Sequence, residues 1–410
     1  MNIGKKEALK MKIKKSSKID LIMIQILIVL YVVFAYPIQI QFGLNLNFIL
    51  DLLLFIVLLR NSLSYKHKFS HIIVIFVLII LVLISNIFAE VFIFYQVIRL
   101  IRFILVSYLL YKMVHGLTET DKLLKSIIIS AILSVLWLLR QYIFGWTAAE
   151  ELWIINTLNS NPDLSYIGTT RFFATFPYAN VASLFFMLSA YVSAVNIRKG
   201  SIYFIGFMFS IFGVFLVQMR IGYYVLPILF VIFLRKRNIS KLIIASLLAL
   251  VLIFVNNVFS IISNDFFSYI FRKLSEDNSI SSSLIARLNQ ISNALVYFSE
   301  SIFSVFFGKG LGSDNLIVYI DNLFITIVYQ NGLIFSMILI FAIGRLVSKS
   351  FRCRDINYKI NIIILLIIVA AYSVSSNALN SGIVYNVFII ILALINRSSR
   401  HLLSKELLIR

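Results

Sequence analysis

The sequence predicts an all-α integral membrane protein of about twelve transmembrane helices, with both termini cytoplasmic and one large outer loop. Three observations predict it. Of 410 residues, 61% are apolar and only 13% are charged, roughly half the charge of a soluble domain. The apolar residues gather in runs of near-membrane length. The 37 Lys and Arg outnumber the 17 Asp and Glu, and they crowd onto alternate connections between those runs. This composition excludes a soluble enzyme and a disordered chain. In such a chain a net charge of +20 is read as topology, so no nucleic-acid partner is expected.

A membrane-crossing helix needs about 20 predominantly apolar residues. Apolar runs fall at 19–36, 42–59, 70–89, 91–111, 126–144, 173–195, 201–219, 221–234, 242–262, 320–344, 360–376 and 383–396. No small-residue cleavage site follows the basic N-terminal tail, so the first run is expected to remain as a span and not to be removed as a signal peptide. Basic residues are retained on the cytoplasmic side. With the N-terminus inside, the inside segments hold 28 of the 37 Lys and Arg. The outside connections hold six: Arg171, Arg220, Arg272, Lys273, Arg287 and Lys309. Arg99, Arg102 and Arg140 lie within runs.

The chain then divides into a basic cytoplasmic tail (1–18), five helices (19–144), a first outer loop (145–172), four helices (173–262), a large outer loop (263–319), three helices (320–396) and a cytoplasmic tail (397–410). The second outer loop exceeds ordinary connection lengths, which makes it a functional candidate. Within it Leu284, Leu288, Ile291, Leu295 and Phe298 recur at alternating steps of four and three, the spacing of one apolar helix face. That helix is expected on the outer membrane surface or against the bundle.

Absences narrow the chemistry. No G-x-x-x-x-G-K-[ST] motif occurs, so no ATP site is expected. A lone cysteine, Cys353, excludes an internal disulfide framework. His67, His71, His115 and His401 all fall in or beside cytoplasmic segments. Outer-face chemistry must therefore use carboxylates, Arg, Lys, Tyr or backbone groups. Neither a metal nor another cofactor is expected. Glu119 and Asp121 form no D-x-D pair and read as solvated loop residues. Gly308, Gly310 and Gly312 form a glycine-rich turn before a helix.

Against so few outer cations, Arg171, Arg220 and Arg287 become candidates for binding an anion. The planar guanidinium fork suits phosphate oxygens. The alternative is that each one anchors a span end by snorkelling. Arg99 and Arg102 lie three residues apart on one face of the fourth span, where charge is costly and faces protein or a wet cavity. Asp51 and Glu90 are possible partners. They fit either a buried part of a phosphate or glycan cavity or a structural ion pair. Asp321 and Asn322 open the tenth span, where they suit either acid–base work on a hydroxyl or helix capping.

The order of these segments resembles the O-antigen polymerase and O-antigen ligase family of integral membrane glycan-joining enzymes. RFFATFPYANVASL (171–184) resembles the family's Arg-containing lead into a span, with Asn180 following. Arg220 is similar to the arginine at the outer end of the next span. Arg287 resembles the start of the large outer loop, and FFGKGLGSDN (306–315) with DNLFITIVYQNGLIF (321–335) resembles its close. The likeness covers roughly 165–345. Two departures stand out: Asp321-Asn322 stands where the family's ligases commonly carry His-Asn, and Met219, not Ser, precedes Arg220; the missing His favours polymerase over ligase.

The resemblance implies a polymerase joining polyprenyl-diphosphate-linked oligosaccharide repeat units into surface polysaccharide at the outer face of the cell membrane. Donor and acceptor would both be lipid-linked glycans, with membrane lipid around them and a chain-length regulator as a neighbour. Arg220 and Arg287 would act on the leaving diphosphate and Asp321 on the acceptor hydroxyl. Arg171, Arg99, Arg102, Asn180 and Asn322 would bind substrate. Two other functions remain open: a ligase delivering finished glycan, and a flippase or transporter of lipid-linked glycan.

Overall fold

In the computed structural model, residues 21–42, 46–62, 69–87, 94–116, 120–159, 173–217, 219–235, 296, 302–309, 323–351, 356–375, 384–395 and 397 are described. Among them all regular structure is helical, with no strand. The helices are α1 (Leu21–Val33), α2 (Ala35–Phe42), α3 (Leu46–Ser62), α4 (Phe69–Ile87), α5 (Phe94–Gly116), α6 (Thr120–Phe144) and α7 (Ala148–Asn159). They continue with α8 (Ala179–Asn196), α9 (Ser201–Val217), α10 (Arg220–Arg235), α11 (Ile302–Phe307), α12 (Leu323–Phe351), α13 (Ile356–Ser375) and α14 (Val384–Ile395).

Helix occupies each apolar run of the sequence except 242–262, which lies outside the described residues. Three helical stretches, Thr120–Phe144, Ala179–Lys199 and Phe324–Arg345, are long and apolar enough to cross a membrane. Five shorter apolar helices accompany them among the described residues. Several boundaries differ from expectation for local reasons. The first run breaks into α1 and α2 because Pro37 has no N–H to give the carbonyl four residues before it, and a turn falls at Phe34. The run expected to begin at 173 becomes helical only at Ala179: Pro177 disfavours a helical residue before it, and Tyr178 is extended (φ −146°, ψ 151°). Residues 173–178 instead form a non-helical strap.

The expected first outer loop is not structureless. It opens with α7, started by a capping box in T-A-A-E that the hydropathy pattern does not register. Thr147 Oγ1 accepts from Glu150 N at 3.2 Å, and Glu150 Oε2 accepts from Thr147 N at 2.7 Å. Asp121, expected as a solvated loop residue, belongs to the first turn of α6. Its carboxylate accepts the Tyr203 hydroxyl of α9 and pairs with Lys125 at 3.1 Å and Lys199 at 3.8 Å. Glu119 and the amphipathic stretch 284–298, apart from Val296, lie outside the described residues.

Helix α8 is the axis of the packing. Ala179 and every residue from Val181 to Ala194 are buried, as befits a helix apolar on all sides. Helix α9 approaches α6 and α8 through Gly206 and Gly213, where a Cβ would lie 2.3 Å from Ile128 Cγ2 and 2.9 Å from Phe186 and Val135. Small residues at such contacts let helices associate where lipid tails remove the usual hydrophobic drive. Between the glycines, Ser210 Oγ donates to Ser189 Oγ at 3.0 Å. The peripheral helices carry large apolar side chains outward, among them Leu53 and Ile56 on α3, Phe76 on α4, and Met337 and Phe341 on α12. Such outward apolar faces are what a lipid surround covers.

Cross-links fix the direction of five helices. Asp121–Tyr203 places the starts of α6 and α9 at one end. Tyr191 OH donates to Asn361 O at 3.0 Å, joining the last part of α8 to the start of α13. At the other end α6 meets the strap that leads into α8, and α9 meets the start of α10. Helices α6, α9 and α13 therefore run one way, and α8 and α10 the other. A second, smaller core joins α4, α5 and α12 around Leu78, Leu81, Val82, Val97 and Phe335.

Candidate functional site

The end where α6 finishes and α8 and α10 begin is the one expected at the exterior from the charge distribution of the sequence. Three tryptophans are the chain's whole complement: Trp137 lies in the second half of α6, Trp146 in the turn after it and Trp153 in α7. Amphipathic indoles concentrate at membrane–water interfaces.

A polar network organises this end. Glu150 is only 3% exposed, yet it is an ionisable carboxylate. Arg140 Nη2 and Nη1 donate to Glu150 Oε2 at 2.8 and 3.0 Å, and Nη1 also donates to Gly145 O at 3.1 Å. The Arg140 guanidinium stacks over the Trp137 ring, 4.8 Å from its centroid. Thr147 donates its N–H at 2.7 Å and its hydroxyl at 3.0 Å to the same carboxylate oxygen. The other oxygen accepts from Gln141 Nε2 at 2.8 Å. Burying a carboxylate is costly unless it is paired and hydrogen-bonded, and here both oxygens are satisfied.

Through Gln141 the network grips the strap. Gln141 Oε1 accepts from Ala174 N at 3.0 Å, and Gln141 Nε2 donates to Ala174 O at 3.1 Å. One side chain thus brackets both backbone groups of a single residue. That residue is strained: Ala174 has φ 55°, left-handed backbone for an L residue with a Cβ. Such a conformation costs about 1–3 kcal/mol and persists where the surroundings over-determine it. Next to it Thr175 Oγ1 shares a hydrogen bond of 2.9 Å with Ser134 Oγ of α6. Phe173 stacks on Trp146 with centroids 4.8 Å apart, and Phe176 packs on Phe185 and Phe186. The strap is held along its length by α6 on one side and α8 on the other.

The strap delivers Asn180 into the first turn of α8, where it is half-buried. Arg220 is the first residue of α10. Two residues on, Gly222 sits so close to α8 and α13 that a Cβ would lie 3.0 Å from Ser183 Oγ, 3.3 Å from Tyr372 OH and 2.7 Å from Val214 Cγ1. Ser183 and Tyr372 share a buried hydrogen bond of 2.5 Å. The opening turns of α8 and α10, one bearing Asn180 and the other Arg220, are therefore neighbours, locked by a hydroxyl pair.

The fold does not gather every candidate there. Arg99 and Arg102 both lie on α5, as expected. Their turn packs through Leu100, Ile101 and Ile104 into the second core with α4 and α12, and Arg102 is half-buried. Arg171, Arg287, Asp321 and Asn322 lie outside the described residues. Among the described residues, no group of three His, Cys, Asp or Glu is placed to hold a metal ion.

Sequence reasoning missed Glu150, Gln141, Ser183 and Tyr372. For Glu150 a signal existed, since T-A-A-E carries the capping-box spacing. Nothing local marks Gln141 or Tyr372, whose partners lie 33 and 189 residues away.

Gly308, the first glycine of the glycine-rich turn, has a definite role, while Gly310 and Gly312 lie outside the described residues. After α11, Gly308 (φ 83°) lies against the α12 backbone, and a Cβ there would fall 2.5 Å from Gln330 O. Opposite it, α12 breaks at Gly332 (φ 80°, ψ 173°), where a Cβ would fall 2.2 Å from Phe306 O. Lys309 N donates to Tyr329 O at 2.9 Å, taking up a carbonyl at the break. Two backbones touch because neither glycine carries a side chain.

Comparison with protein-family models, with curated proteins and with solved structures finds no match to this chain.

Proposed function

We propose that this chain is a multi-pass membrane glycosyltransferase that joins polyprenyl-diphosphate-linked oligosaccharide repeat units at the outer face of the cell membrane. In this reading twelve helices cross the bilayer and both termini are cytoplasmic. The observation that carries the reading is the ordered series of outer-face residues, Arg171, Asn180, Arg220, Arg287 and Asp321, set along the chain as in the O-antigen polymerase and ligase family. It is supported by the neighbouring starts of α8 and α10, which bear Asn180 and Arg220.

A hydroxyl of the acceptor glycan attacks the anomeric carbon of the donor. A new glycosidic C–O bond forms, and the bond from that carbon to the diphosphate oxygen breaks. The electron pair leaves with the lipid diphosphate, and Asp321 takes the hydroxyl proton. Arg220 and Arg287 stabilise the charge that develops on the leaving group. Arg171, Asn180 and Asn322 bind the glycan and its diphosphate, and holding both large substrates in register contributes much of the rate. The bond broken is already activated, so no nucleotide is consumed. A chain-length regulator is the partner this reaction invites.

The test is polymer length in cells carrying Arg171→Ala, Arg220→Ala or Arg287→Ala at normal expression. Each variant should leave single or few repeats, and wild-type lengths in all three would sink the assignment. A ligase would differ: its loss leaves long lipid-linked polymer unattached. The break in α12 favours one further alternative, a lipid-linked glycan transporter, since discontinuous helices form the substrate sites of carriers. Purified protein in vesicles separates the two, because the polymerase lengthens glycan without moving it across the bilayer.

A further inference from the structure

Asn331 stands immediately before the break in α12 and is 3% exposed. Its Nδ2 donates to Ile327 O at 3.4 Å, but its Oδ1 is buried and has no donor among the described residues. Turning the amide round does not cure this, because the reversed form sets its oxygen against the Ile327 carbonyl. A buried acceptor without a partner is costly and rare, and each case calls for a reason.

The donors at the joint between α11 and α12 turn elsewhere. Gly308 N donates to Ser304 O and Lys309 N to Tyr329 O, both at 2.9 Å, and Ser336 Oγ donates to Gly332 O at 2.8 Å. Each is taken by a carbonyl, and none reaches Asn331 Oδ1. Oxygen acceptors, in contrast, crowd the joint: Phe306 O lies against Gly332, and Gln330 O against Gly308. The first half of α12 also ends here, and a helix C-terminus carries partial negative charge on its last carbonyls.

Such a place repels a phosphate and suits a ligand that needs acceptors only. A water molecule brings lone pairs that need donors of their own, whereas a cation does not. Calcium draws on carboxylates, and residues 302–309 and 323–336 contain no Asp or Glu. Neutral carbonyl, amide and hydroxyl oxygens remain, and interrupted membrane helices use oxygens of that kind to hold sodium.

We propose that the break in α12 binds one monovalent alkali cation through Asn331 Oδ1. The cation draws its other ligands from the neutral oxygens of the joint, the Gln330 and Phe306 carbonyls and the Ser336 hydroxyl. It supplies the positive partner that the buried amide oxygen lacks, and it ties the two halves of α12 to the turn at Gly308.

The test uses purified full-length protein in detergent, in NaCl, KCl or choline chloride at equal ionic strength. Thermal unfolding midpoint is read together with binding of radioactive sodium, or of rubidium in place of potassium. Wild type should unfold about 2 °C or more higher in NaCl or KCl than in choline chloride. It should also bind one of the two tracers, one ion per chain.

Asn331→Leu removes the unpaired oxygen at similar size. This variant should lose the tracer and the salt-specific shift while keeping its midpoint in choline chloride. Asn331→Asp keeps the shape and adds a charge, so it answers even where Asn331→Leu folds poorly. The Asp variant should reach half the shift at a cation concentration about tenfold lower, since affinity rises with ligand charge. A wild-type midpoint indifferent to the cation, with neither tracer bound, would overturn the site and leave a buried water beside Asn331. A shift with the same size and concentration dependence in wild type and both variants would also overturn it, because the cation then binds elsewhere. Neither readout uses a glycan, so the outcome is independent of the glycan-joining reading.

Discussion

Glu150 is a carboxylate at 3% exposure, at the end of an apolar bundle, and it is tolerated because each oxygen has donors of its own. Breaking a buried pair by removing one partner leaves an uncompensated charge, which is generally far more damaging than losing the pair's attraction. Ser183 and Tyr372 form a milder version of the same bargain, two neutral hydroxyls joined at 2.5 Å between α8 and α13. Tyr372→Phe keeps the ring and strands the Ser183 hydroxyl in a buried place. It should cost about 1–3 kcal/mol, the penalty of an unsatisfied buried polar group, read as a lower unfolding midpoint in detergent. Adding Ser183→Ala removes the stranded hydroxyl, so the double variant should lose less than the two singles together. Strict additivity would show that the hydroxyls are not coupled.

Helix α12 is apolar enough to cross a bilayer, yet it breaks at Gly332. Its backbone there lies in a region open almost only to glycine, and the Phe306 carbonyl fills the space a Cβ would need. The break is therefore part of the joint with α11 and the Gly308 turn. Gly344, farther along the same helix, is helical and has open space around it. Gly332→Ala should sharply reduce folded yield or lower the unfolding midpoint by many degrees. Gly344→Ala should be neutral or stabilising by up to about 1 kcal/mol, as expected for replacing glycine in a helix interior. Equal behaviour of the two variants would contradict the joint. At this scale the sequence shows Gly308 as a turn but gives no sign that the turn is pressed against residues 330–332.

For the whole molecule, sidedness is the claim that reaches furthest. The basic residues lead to the expectation that 345–359 lies inside, and that segment contains the chain's single cysteine, Cys353. A membrane-impermeant maleimide should leave Cys353 unlabelled in intact cells and label it once the membrane is opened. In a Cys353→Ser background, Asn159→Cys at the end of α7 should label from outside. Labelling of Cys353 in intact cells would invert the topology and remove the outer-face site with it.

The sequence by itself determined the helical class and the membrane character, because composition and hydropathy are properties of each segment taken alone. Charge along the chain likewise determined the expected sidedness, since each loop is sorted by its own basic residues. The positions of the helices followed nearly as well, with errors where a proline or a cap acts over one turn, as at Pro37, Pro177 and Thr147. Only the tertiary structure decided that Arg140 has Glu150 as its partner, that Gln141 brackets Ala174, and that the turn bearing Asn180 neighbours the one bearing Arg220. Those facts are contacts between segments. They depend on which helix faces meet, and a helix that is apolar on every side, as α8 is, carries no one-dimensional record of its neighbours.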